Sequence, residues 1–446
     1  AEFDWRWFPD GEQRIALAYG DRLQATARQQ RGSDLGLTLH FGSQPAAAPK
    51  PGMTRITGTL PRVALAELTA LGAGDGPGGI GVLPPVREVD VRLQGLDVSR
   101  WRLGEVQVAG LREGDDWRLG LAGAAYGDMR WSPAERAVRI DLETLRAATI
   151  PVAEREDREP SGAEDAPAPA GPDLHLNVES LSAEDLPLGR FSFSRINEGE
   201  PNARASLELV GESIDLRGQI TPDAGQPGGH RLRFDLFTED AGALLRALGL
   251  PRAMESGTGS SAGTLSWIGP MLDPAMTSLA GELQVDLRNG SLPAVEPGAG
   301  RALGLFSLSV LPRRLGLDFS DVVGEGLQFD SLQGSWQVQA GRMRTDDLTL
   351  QGPSMDLALS GETDLVRRRY DQQVQVTPHV SSALTFLGGL AGGPAAAVML
   401  FLTRGMIEPG VERLTSFEYR IFGPWEDPQF ELLTPLTAAE EGSGDD

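Results

Sequence analysis

The chain of 446 residues contains no cysteine, which excludes disulfides, thiolate metal sites and cysteine nucleophiles and fits either a reducing or an oxidising compartment. Four histidines, His40, His175, His230 and His379, are scattered without HxH or HExxH spacing, so zinc has no ligand set. Lysine is nearly absent, since Lys50 alone among 40 basic residues is not arginine. A bias so uniform reads as a property of the source genome rather than of a binding site. Acidic residues number 63, leaving a formal net charge of −23. A chain so acidic repels phosphate backbones, which argues against nucleic acid and against a polybasic membrane anchor. Aromatic content is only 6 %, so any core is aliphatic. The chain opens Ala-Glu-Phe-Asp-Trp, with no initiator methionine, basic n-region or apolar h-region; a processed protein or a fragment is expected.

Catalytic motifs are lacking as well. No nucleophile elbow, P-loop, dinucleotide fingerprint or metal-helix signature occurs. The glycine runs at 72–81 and 388–393 have neither the lysine nor the strand-Gly-helix context of a phosphate cradle. Asp115-Asp116 and Asp346-Asp347 are adjacent carboxylates, but they sit beside turn glycines or on polar faces, as solvated carboxylates do. The eight tryptophans fall largely at alternating strand positions, which suits packing. No enzymatic role and no cofactor are expected.

What the sequence has is turns and alternation. Gly and Pro total 87 residues, about 20 % against a usual ~12 %. Period-two apolar runs dominate, placing every second side chain on one face of a strand. Clear examples are Leu35-Leu37-Leu39-Phe41, Val89-Val91-Leu93, Val106-Val108, Trp117-Leu119-Leu121, Val138-Ile140-Leu142, Leu174-Leu176-Val178 and Leu207-Leu209. The pattern continues through Ile214-Leu216, Leu232-Phe234-Leu236, Leu283-Val285-Leu287, Leu327-Phe329, Trp336-Val338, Leu348-Leu350, Met355-Leu357-Leu359 and Val374-Val376. Charges on the intervening positions, such as Asp90 and Arg92 or Asp286 and Arg288, put one face in water and the other against something apolar. A loose apolar-Asp-apolar unit followed by glycine recurs at irregular spacing, so no fixed-period solenoid or propeller follows.

Helices are few: 63–71, 241–250, 302–311 and 384–402 are the candidates. About twenty strands and four short helices leave the apolar face of the sheet without a helical cover. Three solutions remain open: sheets packed face to face as sandwiches or β-helices, a closed barrel, or a groove filled by a ligand with its own hydrocarbon. The stretch 384–402 lies in a run, Gln372 to Thr403, without Asp, Glu, Lys or Arg. Spanning a bilayer takes about 20 apolar residues, yet Gly388-Gly389, Gly392-Gly393 and Pro394 would break a helix in its middle. A buried helical hairpin, a hairpin docked on one leaflet and a transmembrane span all remain possible readings, with Arg404 and Glu408 at the interface end.

The run Val295-Glu-Pro-Gly-Ala-Gly-Arg-Ala-Leu-Gly-Leu305, then Pro312-Arg-Arg-Leu-Gly-Leu-Asp-Phe-Ser320, Val376-Thr-Pro-His-Val380, Gly388-Gly-Leu-Ala-Gly-Gly-Pro394 and Tyr419-Arg-Ile-Phe-Gly-Pro-Trp-Glu-Asp-Pro428 resembles, in order, the C-terminal region of the YhdP family within the AsmA-like superfamily. Trp117-Arg-Leu-Gly-Leu121 and 127–133 are similar in style to its middle section. The resemblance implies a mostly β fold: a long twisted antiparallel sheet curled into an elongated hydrophobic groove, the repeating β-groove, with a few short helices and a C-terminal helical hairpin. It also implies the periplasm of a Gram-negative bacterium and a bridge between inner and outer membranes, the N-terminal inner-membrane anchor lying outside this chain. The cargo implied is phospholipid, whose acyl chains slide in the groove.

On that reading the segments are a β-groove over 1–153, a Pro/Ala/acid-rich linker or loop over 154–172, a second β-groove over 173–380, an apolar hairpin over 381–408, closing strands over 409–433 and a disordered acidic tail over 434–446. Expected groove-lining residues are Val89, Val91, Leu93, Val138, Ile140, Leu207, Leu209, Ile214, Leu216, Leu232, Phe234, Leu236, Leu283, Val285, Leu287, Leu327, Phe329, Trp336, Val338, Leu348, Leu350, Met355, Leu357 and Leu359. Expected membrane-contacting residues, the outer membrane being the partner, are Leu384, Phe386, Leu387, Leu390, Val398, Met399, Leu400, Phe401 and Leu402. A structural envelope or assembly scaffold of packed sheets without lipid is the alternative.

Overall fold

The structure is a computed structural model and describes residues 2–7, 13–65, 84–99, 101–150, 171–184, 186–197, 203–226, 228–248, 254–269, 271, 274–292, 327–379, 416–425 and 428–436. The hairpin 381–408, the helix candidate 302–311 and most of the linker 154–172 and of the candidate 63–71 lie outside these residues. The fold is mostly β, and the chain divides into two compact units, Ala1–Glu212 and Ser213–Asp446.

In the first unit β1 (Glu2–Trp7), β2 (Gln13–Tyr19), β3 (Leu23–Gln29) and β4 (Gly36–Phe41) form an antiparallel meander. The strands β5 (Thr54–Leu60) and β7 (Val86–Leu93) follow in parallel, β4 beside β5 and β5 beside β7. Antiparallel pairing then resumes through β10 (Val106–Glu113), β11 (Asp116–Gly123), β12 (Ala125–Ser132) and β13 (Ala137–Thr149). A further parallel step joins β13 to β14 (Asp173–Ala183), and β15 (Leu186–Asn197) and β16 (Ala203–Val210) complete the unit. Short strands β6 (Val63–Ala64), β8 (Leu96–Val98) and β9 (Trp101–Leu103) extend one end of this sheet and reach the last residues of β13.

The sheet is antiparallel at most of its pairs, with a few parallel steps, and the connections explain those steps. Parallel neighbours need a crossover of about a dozen residues or more. The three steps between long strands fall at the Pro-Ala stretch 44–51, the glycine run 72–81 and the Pro/Ala/acid stretch 154–172. Strands flanking the last of these pair directly, Ile140 opposite Leu176 and Leu142 opposite Val178. Val63 and Ala64, expected at the head of a helix, instead form β6 beside β8.

The second unit is antiparallel throughout its described pairs: β17 (Ile214–Pro222), β18 (Gly229–Thr238), β19 (Glu255–Ile268), β20 (Ala280–Leu292), β21 (Leu327–Gln339), β22 (Arg342–Gln351), β23 (Met355–Asp364), β24 (Arg369–Pro378), β25 (Ser416–Pro424) and β26 (Gln429–Leu436). β26 runs three residues into the stretch expected to be disordered. Helix α1 (Ala241–Ala247) matches the expected 241–250 at its start. Asp240 accepts from the Ala243 N–H at 2.8 Å as its N-cap, and Ala241 and Leu245 pack on the sheet. In neither unit do the described strands close into a barrel.

Glycine is obligatory at a few mid-strand positions. Gly361 has φ +123°, and a Cβ there would lie 2.5 Å from the Asp371 carbonyl oxygen on β24. Gly58, at φ +112°, would strike the backbone of Phe41 in the same way. Strands at such points bend more sharply than a side chain permits. Gly361→Ala is expected to destabilise the second unit by about 1–3 kcal/mol, read as a lowered urea midpoint.

Candidate functional site

Backbone pairing aligns side chains into rows that cross the strands, and the rows segregate by polarity. In the first unit one row of directly opposed residues runs Phe3, Leu17, Ala25, Leu39, Ile56, Val89, Gly110, Leu119, Met129, Ile140, Leu176, Phe193 and Leu207. It crosses parallel and antiparallel steps alike without one polar member. The next row on the same face runs Tyr19, Leu23, Phe41, Gly58, Val91, Val108, Leu121, Gly127, Leu142, Val178, Phe191 and Leu209. The row between them, on the opposite face, is Gln24, His40, Thr57, Asp90, Ala109, Gly120, Asp128, Asp141, Asn177, Ser192 and Glu208. There Gln107 donates to Asp90 at 3.0 Å and Asn177 to Asp141 at 2.8 Å.

Burial distinguishes two kinds of apolar face. Along the first row the members from Leu17 to Leu176, and Leu207, are only partly buried, and Phe193 alone is sealed. In the second unit Leu216, Leu232, Phe234, Leu236, Leu283 and Val285, on β17, β18 and β20, are partly buried in the same way. From Leu287 and Leu292 on β20 through the later strands the face closes. Leu332, Val374 and Ile421 have 0 % of their surface exposed, and Leu348, Leu350, Leu357 and Leu359 are buried beside them in one cluster. Beside it Gln372 donates to the Thr363 hydroxyl at 2.7 Å. Burial pushes the Tyr419 phenol up to about 12.

Each expected lining residue stands on a described strand. Those on β21–β23, namely Leu327, Phe329, Trp336, Val338, Leu348, Leu350, Met355, Leu357 and Leu359, belong to the closed part. Val89, Val91, Ile140, Leu207 and Leu209 belong to the two rows of the first unit, and Leu93 and Val138 to the rows flanking them on the same face. The expectation omitted Leu17, Ile56, Met129 and Phe193 from those rows. Phe191 and Phe193 alternate within Arg190-Phe-Ser-Phe-Ser-Arg195, a readable signal, whereas Ile56 stands among threonines and shows its face only through pairing. Among the described residues no group of His, Cys, Asp or Glu could hold a metal ion. None of the described helices is long and apolar enough to cross a membrane.

Two histidines border the face of the second unit with opposite electrostatics. His230 lies against Trp267, ring centroids 5.8 Å apart, and burial lowers its pKa. His379, after the last residue of β24, is raised by its hydrogen bond to Asp356 at 3.2 Å, assisted by the Pro353 carbonyl.

A family profile described as YhdP protein matches residues 2–430. A curated relative, "Intermembrane phospholipid transporter YhdP" of Escherichia coli (strain K12), is 28 % identical over 244 residues, covering 53 % of this chain and 19 % of the relative. The chain thus matches about a fifth of the length of that relative. No solved structure matches the chain significantly.

The two kinds of face respond differently to charge. Val374→Asp should cost more than about 3 kcal/mol, because nothing there solvates or pairs the carboxylate. Ile140→Asp, on the partly exposed row, should cost about 1 kcal/mol; thermal melts of the two variants give the comparison. By proton NMR His379 should titrate above the usual 6.5 and His230 below it. The stabilising His379–Asp356 contact is then present below pH 6.5 and lost as pH rises through the raised value, and Asp356→Asn should remove the upward shift. For His230 the sign reverses, stability being lost as pH falls from 6.5 through the lowered value.

Proposed function

The chain belongs to the YhdP family, and from that premise we propose that it is a segment of a periplasmic conduit for phospholipid between the inner and outer membranes of a Gram-negative bacterium. The observation that carries this reading is the unbroken apolar row across the first unit, partly buried at strand after strand. A sheet face of that kind is unfinished in water, and acyl chains complete it. Each methylene removed from water contributes about 0.8 kcal/mol, so a chain stays in the groove. A lining that repeats the same aliphatic chemistry at each strand gives sliding no deep well. The polar head remains outside, which accounts for a lining without buried charge along these rows. No catalytic step is part of this reading.

The named activity of the Escherichia coli relative supports the cargo class. Taken by itself, the second unit offers half-buried residues of the same aliphatic chemistry on β17, β18 and β20, beside the closed cluster of its later strands. That cluster, which also takes in Ala241, Met254, Leu287 and Leu292, and a smaller buried cluster around Val106, Leu142 and Val178 in the first unit are the observations that favour the scaffold alternative. The apolar segment 381–408, with Leu384, Phe386, Leu387, Leu390, Val398, Met399, Leu400, Phe401 and Leu402, is the proposed contact with the outer membrane. Its roots in β24 and β25 pair antiparallel, Val376 opposite Phe417, so it leaves and returns at one end of the sheet.

Native mass spectrometry of the purified chain should show co-purifying phospholipid. A photocrosslinking residue at Ile140 or Leu176 should label lipid, and one at Asp141 or Asn177 should not; equal labelling at both parities, or a lipid-free protein, would overturn the conduit.

A further inference from the structure

The apolar strip of the first unit has two dissimilar long edges. One row beyond Leu119 and Ile140, on the same face, the directly opposed residues are Arg112, Trp117, Trp131, Val138, Leu174 and Arg195. Two tryptophans stand side by side between two arginines, Arg195 being followed in the row by Ala205 on β16. Trp131 is 41 % exposed although it is large and apolar. Arg112 gives one Nη2 hydrogen bond to Asp115 at 2.8 Å, and Arg195 gives one to the Pro172 carbonyl at 2.6 Å. In both guanidinium groups Nε is out of water and without a partner among the described residues.

The other edge differs in every respect. It runs Leu60, Leu93, Val106 and Gly123, with Leu93 5 % and Val106 2 % exposed. Beyond it β6, β8 and β9 prolong the sheet with Val63, Leu96 and Leu103 in line with Ala147 and Ala183. The ion pair of that region, Asp97 with Arg102 at 3.0 Å, is internal, the Asp97 carboxylate being 1 % exposed.

Building on the conduit reading, we infer that the Arg112–Trp117–Trp131–Arg195 edge is the headgroup lip of the groove, where the phosphate of a bound phospholipid is held, while its acyl chains point to the Leu93–Val106 edge. Amphipathic indole rings with arginine at their flanks match the level where hydrocarbon gives way to phosphate. Arginine suits a phosphate because its planar fork donates to two oxygens at once. In a chain of net charge −23, cations on the apolar side oppose the prevailing field and complement an anionic ligand. Five strand spacings of ~4.8 Å put the two arginines roughly 24 Å apart along the sheet. They are therefore separate stations for successive lipids, bridged by the indoles, rather than one clamp.

The test loads the full chain with either of two phospholipid probes, one carrying a diazirine on the headgroup and one at the acyl terminus, and maps adducts by peptide mass spectrometry. Headgroup adducts should concentrate on the ends of β11 and β12 around Trp117 and Trp131, and acyl adducts on β7 and β10 around Leu93 and Val106. R112Q/R195Q should lower headgroup adducts at the lip roughly fivefold, the worth of an exposed charge contact, with acyl adducts kept. The outward-facing control R130Q/R139Q should change neither. Headgroup adducts shared equally by both edges, or unchanged in R112Q/R195Q, would overturn the lip and leave the conduit standing. Suppression of those adducts by inorganic phosphate alone would mark a free-anion site and overturn it as well. Absence of adducts from both probes would remove the conduit and the lip together.

Discussion

Register is the constraint on which everything else in this protein depends. Strand side chains alternate with a period of two, so a slip of one residue between neighbours would exchange the faces of one strand. In the first unit thirteen successive strand positions hold the same face from Phe3 to Leu207. The hydrogen-bond ladder carries that order from strand to strand, and apolar burial rewards each strand for keeping it. A parallel step alters the hydrogen-bonding geometry but not the parity, which is why the row passes through β4–β5, β5–β7 and β13–β14 unbroken.

Much of this was legible in the sequence because alternation is written locally. Runs such as Val89-Val91-Leu93 and Leu232-Phe234-Leu236 announce both strand and face. β19 was not legible. Its inward positions include Gly259, Ser261 and Gly263, so no apolar period appears, yet it pairs along its length with β18 and β20. A Cβ at Gly263 would crowd Leu283 and the Glu282 carbonyl on β20, so the small residues answer to a neighbour far away in the chain. Strand direction was equally hidden. Stretches rich in proline, alanine and glycine read as linkers or loops, and nothing local in 44–51 or 154–172 says that the strands on either side run parallel.

The candidate site was half readable for a related reason. Which residues turn inward follows from parity, whereas whether the inward face is open or sealed follows from what lies across it. Leu236 and Leu350 look alike in sequence. In the structure Leu236 is partly exposed and Leu350 is 1 % exposed. Leu350 lies in the cluster around which Tyr370, Tyr419, Trp425 and Phe430 gather, and Leu236 lies outside it. The paired arginine and tryptophan edge of the first unit was likewise invisible, since Arg112, Trp131 and Arg195 meet in one row only after six strands are in register.

The closed part of the second unit also has a mechanical meaning. The segments 293–326 and 380–415 both leave from the same end of that sheet, since Leu292 opposes Leu327 and the ladder from Leu287 through Leu332, Leu350 and Leu357 reaches Val376 and Phe417. Tension on 380–415 therefore draws β24 and β25 along their own axes. Loaded in shear, their ladders to β23 and β26 resist with all their hydrogen bonds together rather than one at a time. The sealed side chains packed on those strands oppose the same displacement.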